Sequence, residues 1–590
     1  MKYPILKPLK KGKDINLNFE TFDIETKSGT WDSFFFLGHY DGKTYRTFER
    51  VDQYVEWLFE RPEDRIEVYA HYLDFDIMFI YDYIRKRKQI LSQVNMTDSL
   101  TLSVTMYKDR KKRVFMNSFS VLPYSLDKLM KTFLKKGKTS LDDLVKRNRE
   151  DCVDLHKILR MFFRNVQQGG VTISQIAMNY FRTGYQQQDI NNNFRYDNLV
   201  RQTYHGGRVE IFNFNLDPDR KAYLFDINSM YPYVMKENPY PIGAYSKVYE
   251  HDSDALGICS VIADDSSNIP ILCETLNQET MFLSKRKKMW VTTAGYEALK
   301  EAGHKVKFLY GYETKETAYI FEDFINDLFS KRLKAKENND EVWNFTYKLL
   351  MNSLYGKFGQ RDEKKVYYIN VGTEAHDELI PITMDEQFTF MKEKHRNIFV
   401  VPSISSFVTE YAKLHLRSYL TRLYYDDLIY CDTDSVYSFS NRLENSKKLG
   451  KMKLEAIARP FFVVKPKLYM AGDIHENKYK IKAKGVPQHE INPLNFYRFL
   501  NGEQIVSRRG LRKFKSSIKE MERTGKFVKR NQIKRAMRSV YTKRRMKGLT
   551  TVPFKLEEKG KYYSQKNEIP YRKFLEQLLP LVCEIAQENS

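Results

Sequence analysis

Residues 428–438 read LIYCDTDSVYS, and they place two acids, Asp432 and Asp434, one residue apart within a run of strand-forming residues. The flanking Leu, Ile, Tyr and Val side chains favour β-structure, and Asp-Thr-Asp predicts the turn of a tight hairpin. Two like charges at a hairpin tip repel each other, and a divalent cation such as Mg²⁺ or Mn²⁺ offsets that repulsion because it prefers oxygen ligands. Taken alone, the stretch is more typical of a solvated acidic turn. The rest of the chain decides between the two interpretations.

The composition favours a multidomain protein with a polyanionic partner. At 590 residues the chain exceeds what one hydrophobic core usually supports, so we expect roughly two to four domains. Hydrophobic residues at 42% and aromatic residues at 14% exclude general disorder. With 98 Lys and Arg against 75 Asp and Glu, the net charge of +23 suits nucleic acid better than a membrane. A basic scaffolding or ribosome-associated protein would carry the same charge.

The cysteines and the apolar runs indicate the compartment. Five cysteines lie far apart and none stands in C-x-x-C spacing, so we expect neither a disulfide framework nor a zinc site. The basic N-terminus MKYPILKPLKKGKD is not followed by the apolar core of a signal peptide, and no run of about 18 apolar residues occurs. These patterns predict a soluble protein of a reducing compartment, the cytoplasm, without membrane contact.

The order of the patterns along the chain predicts α/β structure. Over the first ~165 residues, strand-like runs such as FETFDIET alternate with helix-like runs such as DDLVKRNREDCVDLHKILRMFF. Gly169 and Gly170 are a plausible boundary, after which a second α/β region begins. Residues 325–358 follow a helical pattern, whereas 360–396 are polar and irregular, as expected of an insertion.

The C-terminal region is strongly basic. Residues 501–550 carry 17 Lys or Arg against Glu503, Glu520 and Glu522, with aromatic residues interleaved. Such a block is typical of a surface that grips a nucleic acid duplex. The alternative is a solvated helical face.

A third acid stands upstream of the hairpin. The stretch YLFDINSMYP, residues 223–232, predicts a strand that carries Asp226 at its end and breaks at Pro232. Carboxylates from a strand end and a hairpin can hold two divalent cations about 4 Å apart, which activate a 3′-hydroxyl and stabilise a leaving pyrophosphate. On its own, the pattern also fits a turn with a buried tyrosine.

A helical stretch supplies groups that suit a nucleotide. KLLMNSLYGKF, residues 348–358, places Lys348, Asn352 and Tyr355 at positions i, i+4 and i+7, which share one helix face. The cation suits phosphate and the aromatic ring suits base stacking. An amphipathic helix with one snorkelling lysine is the alternative.

Taken in order, DINSMYP, KLLMNSLYG and YCDTD resemble motifs A, B and C of the family B DNA polymerases. The chain is most similar to the protein-primed branch found in small tailed phages and linear mobile elements, as three further stretches indicate: YHGG at 204–207, KKLG at 447–450 and KPKLY at 465–469. The resemblance implies a DNA-directed DNA polymerase that replicates a linear genome from a terminal-protein primer. It places the protein in the cytoplasm of the host cell if the chain is viral.

The resemblance implies a role for individual residues of the polymerase site. Asp226 and Asp434 would ligate two Mg²⁺ or Mn²⁺ ions, with Asp432 close by and less essential. The nucleotide would meet Tyr231, which excludes a ribose 2′-hydroxyl, Lys348 at the phosphates, Asn352, and Tyr355 beside the base. Template would be held by Tyr204, Gly206 and Gly207, and the primer end by Lys467 and Tyr469.

The N-terminal acids resemble a second active site of the same family. In FDIET, residues 22–26, Asp23 and Glu25 fall on one face of a strand by period-two alternation. The resemblance is to a DEDD 3′–5′ exonuclease, in which two metals activate water, and it implies four acids: Asp23, Glu25, Asp76 and Asp151. Thr26, Phe75 and Ser118 match positions that hold single-stranded DNA. A D-x-E strand alone is more typical of surface decoration.

Three positions depart from the exonuclease pattern. Tyr72 stands where the family has Asn, and Asn117 stands where an Asp usually precedes the Ser. Arg147 replaces the tyrosine that orients the attacking water four residues before Asp151, and a register shifted to Asp154 gives Glu150, which is no better. We therefore expect metal binding to survive and the exonuclease rate to be reduced.

The resemblance also implies a fold class and a division of the chain. The expected architecture is α/β and multidomain, with an N-terminal ribonuclease-H-like DEDD exonuclease domain and a right-hand polymerase of palm, fingers and thumb with two insertions. The expected segments are 1–165 (exonuclease), 166–239 (first part of the palm), 240–324 (first insertion), 325–359 (fingers), 360–398 (second insertion), 399–495 (rest of the palm) and 496–590 (basic thumb and C-terminal region).

These expectations define the partners and the competing functions. A terminal protein would contact the first insertion, and the second insertion would encircle the template and give strand displacement and processivity, unless 360–398 is a loop without a role. The partners would be DNA template and primer, dNTPs and the terminal protein, with the chain a monomer or a heterodimer with that protein. A nucleic-acid-primed family B repair polymerase would carry the same motifs. A non-catalytic basic DNA-binding protein is disfavoured because every chemical residue of motifs A, B and C is present.

Overall fold

The fold is described from a computed structural model of the chain. The described residues are 5–12, 15–27, 33–84, 87, 89–97, 99–138, 143–214, 217–284, 286–361, 363–369, 380–381, 388–394, 399–473, 479–483, 491–500, 505–511, 513–524, 530–535, 541–555, 576 and 579–580.

The N-terminal part is built on a mixed sheet of ten described strands. Its parallel centre consists of Glu20–Thr26 (β2), Arg65–Ala70 (β5) and Lys111–Asn117 (β8). Central strands of this kind are covered on both faces, which explains their long apolar runs. On the β8 side the order is Thr101–Lys108 (β7), Leu91–Met96 (β6), Glu363–Ile369 (β20), Phe388–Lys394 (β22) and Ile380–Pro381 (β21). On the β2 side it is Phe34–Tyr40 (β3) and Tyr45–Phe48 (β4).

Helices cover this sheet and bring acids to its centre. They are Val51–Glu60 (α1), Leu73–Ile84 (α2), Leu126–Leu134 (α3) and Leu144–Val166 (α4). The α4 helix begins after Asp143, whose carboxylate accepts the backbone N–H of Lys146 at 2.9 Å, a typical N-cap. Since α4 packs against β2 and β3, its inner face lies over the strand that carries Asp23 and Glu25.

A second sheet, antiparallel throughout, carries the Asp-Thr-Asp stretch. Its seven described strands are, in spatial order, Val209–Ile211 (β10), Leu428–Asp432 (β23), Ser435–Ser438 (β24), Ala222–Ile227 (β11), Met452–Lys465 (β25), Leu468–Asp473 (β26) and Tyr479–Ala483 (β27). Both faces are buried: Phe225 and Val436 enter one hydrophobic core, and their neighbours Leu224 and Tyr437 enter another. Met230–Glu237 (α7) and Pro402–Leu420 (α12) pack against each other beneath this sheet.

The remaining described elements connect and surround the two sheets. A four-stranded antiparallel sheet comprises Ser246–Val248 (β13), Lys305–Thr314 (β18), Leu256–Asp264 (β14) and Arg286–Thr292 (β17), with Thr293–Glu301 (α8) packed on it. Smaller pairings join Ile5–Leu6 (β1) to Ile190–Asn191 (β9), Tyr240–Pro241 (β12) to Thr317–Ala318 (β19), Cys273–Leu276 (β15) to Glu279–Ser284 (β16) and on to Phe554–Lys555 (β32), Ile505–Leu511 (β28) to Arg530–Arg535 (β29), and Arg545–Lys547 (β30) to Thr550–Val552 (β31).

The other helices include those of the segment with the helical pattern. They are Ile173–Gly184 (α5), Asp197–Val200 (α6), Glu322–Glu337 (α9), Glu341–Ser353 (α10), Tyr355–Phe358 (α11), Pro493–Leu500 (α13) and Phe514–Thr524 (α14), with 3₁₀ turns at Ser118–Ser120, Phe194–Tyr196 and Tyr425–Asp427. No helix in the described ranges combines the length and the apolar character needed to cross a bilayer.

The expectation that 360–396 is irregular is wrong for its described part. Strand β20 pairs with β6, and β22 pairs with β20, so this segment extends the N-terminal sheet. Tyr367 is completely buried in the core of that sheet. The KKVYYI sequence of β20 has the aromatic and β-branched residues typical of strands, a signal that the polar residues around it obscured.

The basic C-terminal region is anchored in both halves of the molecule. Phe514, Ile518 and Met521 of α14 lie in the core of the N-terminal sheet. Farther along, Arg544 is fully buried and its guanidinium pairs with Glu210 at 3.2 Å, while Lys543 donates to the carbonyl of Thr280 at 3.2 Å. The interpretation of the whole block as a DNA-gripping surface is therefore wrong for Lys543 and Arg544, which hold the fold together.

Several sheets with helices packed against them make this an α/β multidomain chain, as the sequence predicts. The long separation between partners in the N-terminal sheet, such as β6 and β20, shows that its core is assembled from distant segments. Each of the two large sheets carries its own group of acids. One group lies on β2, and the other lies on β11 and on the hairpin of β23 and β24.

Candidate functional site

The Asp-Thr-Asp stretch forms the predicted hairpin. Asp432 ends β23 and pairs with Ser435, which begins β24, so Thr433 and Asp434 form a two-residue turn. Thr433 has a φ of +66°, in the left-handed region that short hairpin turns require. Its backbone N–H donates to the carbonyl of Arg208 at 2.7 Å, which fixes the turn against the neighbouring strand.

Asp226 lies beside this turn. Strand β11 runs next to β24, and Asp226 stands opposite Ser435, the residue after Asp434. Burial, together with the charges of Asp434 and Glu455, raises the pKa of Asp226 to about 7. Burial also raises the pKa of Asp434, with the charge of Asp432 acting in the same direction. Two carboxylates that resist ionisation together gain most from a bound cation.

Asp432 is in a different position from the other two acids. Its carboxylate forms an ion pair with Lys467 at 2.9 Å and accepts the hydroxyl of Tyr430 at 3.1 Å. Lys467 thus offsets the charge of Asp432, whereas the charge of Asp434 disfavours ionisation of Asp226. Lys467, expected at the primer end, is in this structure the partner of an acid.

A cluster of cations faces the acids. Lys348 on α10 is attracted by Asp226 and Asp434, while burial, Arg332 and Lys128 lower its pKa. A lysine beside two carboxylates, with two further cations close to that lysine, suits a polyphosphate with its metals, because each charge then has a partner of opposite sign.

Sequence reasoning missed two of these cations. Arg332, on α9, is held by the side chains of Asn344 at 3.1 Å and Ser229 at 3.3 Å. Lys128, on α3, lies 4.2 Å from the ring centroid of Tyr124. The basic run SKRLKAK just before the α10 helix is a signal that could have indicated Arg332. Lys128 carries no such signal, because only the tertiary fold brings α3 to this site.

Two tyrosines stack at the edge of the acid cluster. The rings of Tyr231 and Tyr355 are 4.6 Å apart and inclined by 12°, and burial raises the pKa of Tyr231 to about 12. The α7 helix begins at Met230, so Pro232 lies in its first turn, where a missing N–H costs nothing. The expectation that Pro232 breaks the element is therefore wrong, since it helps to start a helix.

The helix with the nucleotide-binding pattern is interrupted. Lys348 and Asn352 lie on α10, which ends at Ser353, and Tyr355 begins the short α11 helix after Leu354. The helix is interrupted at Leu354, but Lys348 and Tyr355 both lie near Asp434, in keeping with the expected shared face. The ring of Tyr355 stacks on that of Tyr231.

The Tyr-His-Gly-Gly stretch passes close to the hairpin turn. A Cβ on Gly207 would lie 3.0 Å from the side chain of Thr433, and one on Gly206 would lie 3.3 Å from Thr280. Gly207 therefore allows a close approach of the backbone to the hairpin turn, and Gly206 allows one to strand β16. Tyr204 is half-buried, and burial raises its pKa.

Tyr469, the second residue of the K-x-Y pair, is an internal residue. Its side chain is buried, and its hydroxyl accepts a hydrogen bond from Tyr437 at 3.2 Å. The ring therefore supports the strand on which Asp432 and its neighbours lie.

The four N-terminal acids come together on β2. Asp23 and Glu25 share one face of the strand, Asp76 lies in the first turn of α2, and Asp151 lies on α4. Burial raises the pKa of Asp23 well above its usual range, and the charges of Asp76, Asp151 and Glu25 add to the rise, with Lys138 opposing it. Burial likewise raises the pKa of Asp76.

The structure selects Asp151 over Asp154. Asp151 is close enough to Asp23 to raise its pKa, whereas Asp154 forms an ion pair with Lys136 at 2.6 Å. The register that places Arg147 at the tyrosine position is therefore the one in the fold.

Protein groups already hold the exonuclease-like acids. Asp76 accepts the N–H of Ile24 at 3.1 Å, Asp23 accepts the amide of Asn148 at 3.0 Å, and Asp151 pairs with Lys138 at 2.6 Å. Sequence reasoning missed Asn148 and Lys138. Asn148 lies three residues before Asp151 on a predicted helix, a spacing that places both on one face and could have indicated it.

Each of the three residues that depart from the exonuclease pattern makes a specific contact in the structure. Arg147 lies near Glu25 and opposes the rise that burial imposes on the pKa of that carboxyl. Asn117 accepts the N–H of Phe119 at 3.1 Å and so caps the 3₁₀ turn. Tyr72 adopts a φ of +64° and stacks on Phe119, with ring centroids 4.0 Å apart.

The expected DNA contacts of this site are only partly exposed. Ser118 is fully buried, and its hydroxyl bonds to the carbonyl of Ala70 and to His71, both at 3.0 Å. Thr26 ends β2 half-buried, and Phe75 packs edge-on against Phe79. Phe75 and Thr26 thus lie at the rim of the acid cluster, and Ser118 supports it from within.

Both clusters can supply some, but not all, of the ligands of a divalent cation. Within the described ranges, no three carboxylate, His or Cys side chains converge closely enough to enclose a metal without help. Mg²⁺ is commonly held by one or two carboxylates together with waters and substrate phosphates. Carboxyl groups whose pKa is raised by burial and by a neighbouring carboxylate, as in both clusters, are the donors such a site requires.

Comparisons with known proteins agree with this geometry. A family described as DNA polymerase type B, organellar and viral, matches residues 142–446. The DNA-directed DNA polymerase of Enterobacteria phage PRD1 is 26% identical over 518 residues, which is 81% of this chain and 87% of the relative. A probable DNA polymerase of Neurospora intermedia is 24% identical over 522 residues, covering 71% of this chain and 53% of the relative, so the chain spans about half of that protein.

A solved structure shares the fold. Phi29 DNA polymerase complexed with primer-template DNA matches with a TM-score of 0.64 at 18% identity, over 81% of this chain and 94% of that one. At this identity the likeness shows the fold alone. It confirms the expected α/β multidomain class, with the same fold as that polymerase.

Proposed function

The chain belongs to the type B DNA polymerases, organellar and viral, and we propose that it replicates a linear genome from a terminal-protein primer with two divalent metals at Asp226 and Asp434. Family B polymerases use divalent metals, and we assign Mg²⁺, or Mn²⁺ in its place, to this site because its donors are carboxylates. The observation that carries the proposal is the adjacency of two half-buried acids, with Lys348 beside both of them and Arg332 and Lys128 close to Lys348.

Each group of the site has a task in nucleotide addition. The metals, when bound, would activate the 3′-hydroxyl and stabilise the leaving pyrophosphate. Lys348, Arg332 and Lys128 bind the triphosphate, and they orient it without needing to move a proton. Tyr231 lies under the sugar and excludes a 2′-hydroxyl, while Tyr355, stacked on it, limits the space beside the base.

The DNA-binding roles follow the same pattern. Gly206 and Gly207 let the backbone approach a template phosphate near the hairpin turn, with Tyr204 beside them. Lys467 shares its charge between Asp432 and the primer end, and Tyr469 keeps that strand in place. DNA and dNTPs are the partners, in keeping with the Phi29 polymerase structures solved with primer-template DNA and incoming nucleotides.

The division of labour along the chain is also proposed. Residues 240–324 form the first insertion and contact the terminal protein, and 360–398 form the second and support strand displacement and processivity. The pairing of β20 with β6 supports the second role, because it ties that segment to a rigid sheet beside the polymerase half. Residues 325–359 are the fingers, and 166–239 with 399–495 the palm.

The N-terminal site is proposed to be a slow 3′–5′ exonuclease with Asp23, Glu25, Asp76 and Asp151 as its metal ligands. Lys138 and Arg147 lie among these acids, so a cation from the protein competes with the metals for them. Thr26 and Phe75 at the rim would meet the single strand.

One experiment tests the priming proposal. The purified chain is incubated with labelled dNTPs, Mg²⁺ and a candidate terminal protein, in parallel with an oligonucleotide-primed template. We expect a covalent nucleotide adduct on the terminal protein that disappears with Asp226→Ala. Extension of the oligonucleotide with no adduct, across terminal proteins from the same genome, would favour a nucleic-acid-primed repair polymerase.

A further inference from the structure

The site proposed as an exonuclease contains a buried polar chain that starts outside its acids. Asn148 is fully buried on α4, and its side-chain amide donates to Asp23 twice, to the carboxylate at 3.0 Å and to the backbone carbonyl at 3.2 Å. The same side chain lies close enough to Glu25 to oppose the rise in the pKa of that carboxyl. One side chain thus interacts with both acids of the D-x-E strand.

The orientation of this amide is fixed from behind. The carbonyl oxygen of Asn148 accepts the hydroxyl of Tyr45 at 2.8 Å and the thiol of Cys152 at 3.7 Å. Since the carboxylate and the carbonyl of Asp23 can only accept, the NH₂ group must face them and the oxygen must face Tyr45 and Cys152. A flip of the amide would set its oxygen against both acceptors of Asp23.

The backbone leaves room for this arrangement. Gly38 pairs directly with Asp23 across β3 and β2. A Cβ at Gly38 would lie 1.7 Å from the Asn148 oxygen and 2.6 Å from the Tyr45 hydroxyl. Only a residue without a side chain permits the hydroxyl and the amide to meet at this place.

We propose that Tyr45 and Asn148 form a positioning relay that holds Asp23 and Glu25 in the orientation in which they ligate metal, in place of the orienting tyrosine that Arg147 has replaced. The inference rests on the proposed exonuclease function. Neither residue touches the reacting atoms. Both act through the carboxylates, as outer hydrogen bonds commonly do at metal sites.

The relay accounts for a contradiction within the site. Arg147 cannot accept a proton or orient water as a tyrosine does. All four acids are nevertheless present and packed together. A buried Asn side chain destabilises the fold unless its hydrogen bonds are made, and those of Asn148 are made to Asp23 and Tyr45. Asn148 provides directional bonds at the neighbouring position of the same helix.

The test measures metal binding apart from catalysis. Calorimetry records Mn²⁺ binding to the full chain carrying Asp226→Ala and Asp434→Ala, so that the polymerase acids do not contribute. Asn148→Ala should weaken Mn²⁺ binding at the remaining site about tenfold or more, and Tyr45→Phe about threefold. Tyr40→Phe is the matched control, because its hydroxyl bonds the carbonyl of Gly42 at 2.9 Å on the same hairpin. It should leave binding within about twofold.

A double-substitution cycle separates the relay from two unrelated effects. If Tyr45 acts through Asn148, the double variant Tyr45→Phe/Asn148→Ala should bind Mn²⁺ no more weakly than Asn148→Ala alone. Single-strand degradation in the otherwise unsubstituted chain should follow the same order, with the loss recovered in part at high Mn²⁺. Melting temperature of every sample, and primer extension of the variants that keep Asp226 and Asp434, report whether the fold is intact, and Tyr45→Phe removes only a hydroxyl.

The outcomes distinguish the relay from the function it serves. Independent, additive losses from the two substitutions, or unchanged Mn²⁺ binding in Asn148→Ala, would overturn the relay while leaving the exonuclease in place. A parent chain that neither binds Mn²⁺ at these acids nor degrades a single strand would overturn the exonuclease proposal and the relay with it. Equal effects of Tyr40→Phe and Tyr45→Phe would show that the hydroxyl merely stabilises the hairpin.

Discussion

The two acid clusters solve the same electrostatic problem in opposite ways. At the polymerase site, the charge of Asp434 raises the pKa of Asp226, and Lys348 on α10 lies beside both acids, with cations of α9 and α3 close to it. At the N-terminal site, a cation lies within the cluster, where Lys138 is bonded to Asp151 at 2.6 Å. The first arrangement leaves space for a charged substrate and its metals. In the second, a lysine of the protein already neutralises part of the negative charge of the acids. Metals must compete with that lysine, and we expect slower chemistry there.

The largest expected effect separates the two sites. Asp226→Ala should reduce primer extension by at least about a thousandfold, because a metal that contributes several kcal/mol to the transition state is lost. Single-strand degradation should stay within about twofold, since the N-terminal acids lie on another sheet. Asp23→Ala should give the reverse pattern in the same two assays. Loss of both activities from either substitution would mean that the clusters are not independent sites.

The second prediction concerns the stacked tyrosines of the polymerase site. Selection of the incoming sugar, their proposed role, has no equivalent in the proposed exonuclease reaction. Tyr231→Val should reduce discrimination between dNTPs and rNTPs by about a hundredfold, because removal of the ring opens space for the 2′-hydroxyl. Single-turnover incorporation of paired nucleotides measures the ratio. Tyr233→Val, two residues along the same helix, is the control and should retain discrimination. Unchanged selection by Tyr231→Val would remove that ring from the sugar site.

The third prediction concerns pH at the polymerase acids. Asp226 has a pKa raised to about 7 and must lose its proton before it can ligate a metal. The Mg²⁺ concentration for half-maximal extension should therefore rise by about tenfold from pH 8 to pH 6 and change little above pH 8. A Mg²⁺ requirement that is flat from pH 6 to pH 8 would contradict the adjacency of Asp226 and Asp434.

The smallest effect concerns the cations within the N-terminal cluster. Arg147→Tyr should raise single-strand degradation by up to ~10-fold if a positioning hydrogen bond of about 1.4 kcal/mol is regained. Arg149→Tyr, on the exposed side of the same helix, is the control and should have no effect. A slower Arg147→Tyr variant would show that Arg147 takes part in the reaction, as a phosphate contact. The contrast between the two clusters would then need another explanation.

Local patterns predicted the acids and their strands well. The Asp432–Asp434 hairpin, the strand with Asp23 and Glu25, and the α4 helix follow from β-propensity and from periodicity, which act over a few residues. The roles of these residues stay predictions until the experiments above are made.

Errors arose where neighbours in space decide the structure. Pro232 is predicted to break its element but lies in the first turn of a helix, and the α10 helix ends at Ser353, just before Tyr355, whose ring stacks on that of Tyr231. The 360–396 segment is polar in sequence, yet its strands are stabilised by the edge of a sheet formed much earlier in the chain. Lys128 likewise could not be identified from the sequence, because only the packing of α3 against α10 brings it close to Lys348.

The central claim is that Asp226 and Asp434 hold the catalytic metals while Asp432 is a neighbour whose charge Lys467 offsets. The direct measurement is the single-turnover rate of primer extension by Asp434→Asn and Asp432→Asn, identical changes at positions one residue apart. We predict a loss of at least about a thousandfold for Asp434→Asn and of about tenfold for Asp432→Asn. Equal losses, or a larger loss for Asp432→Asn, would contradict the assignment.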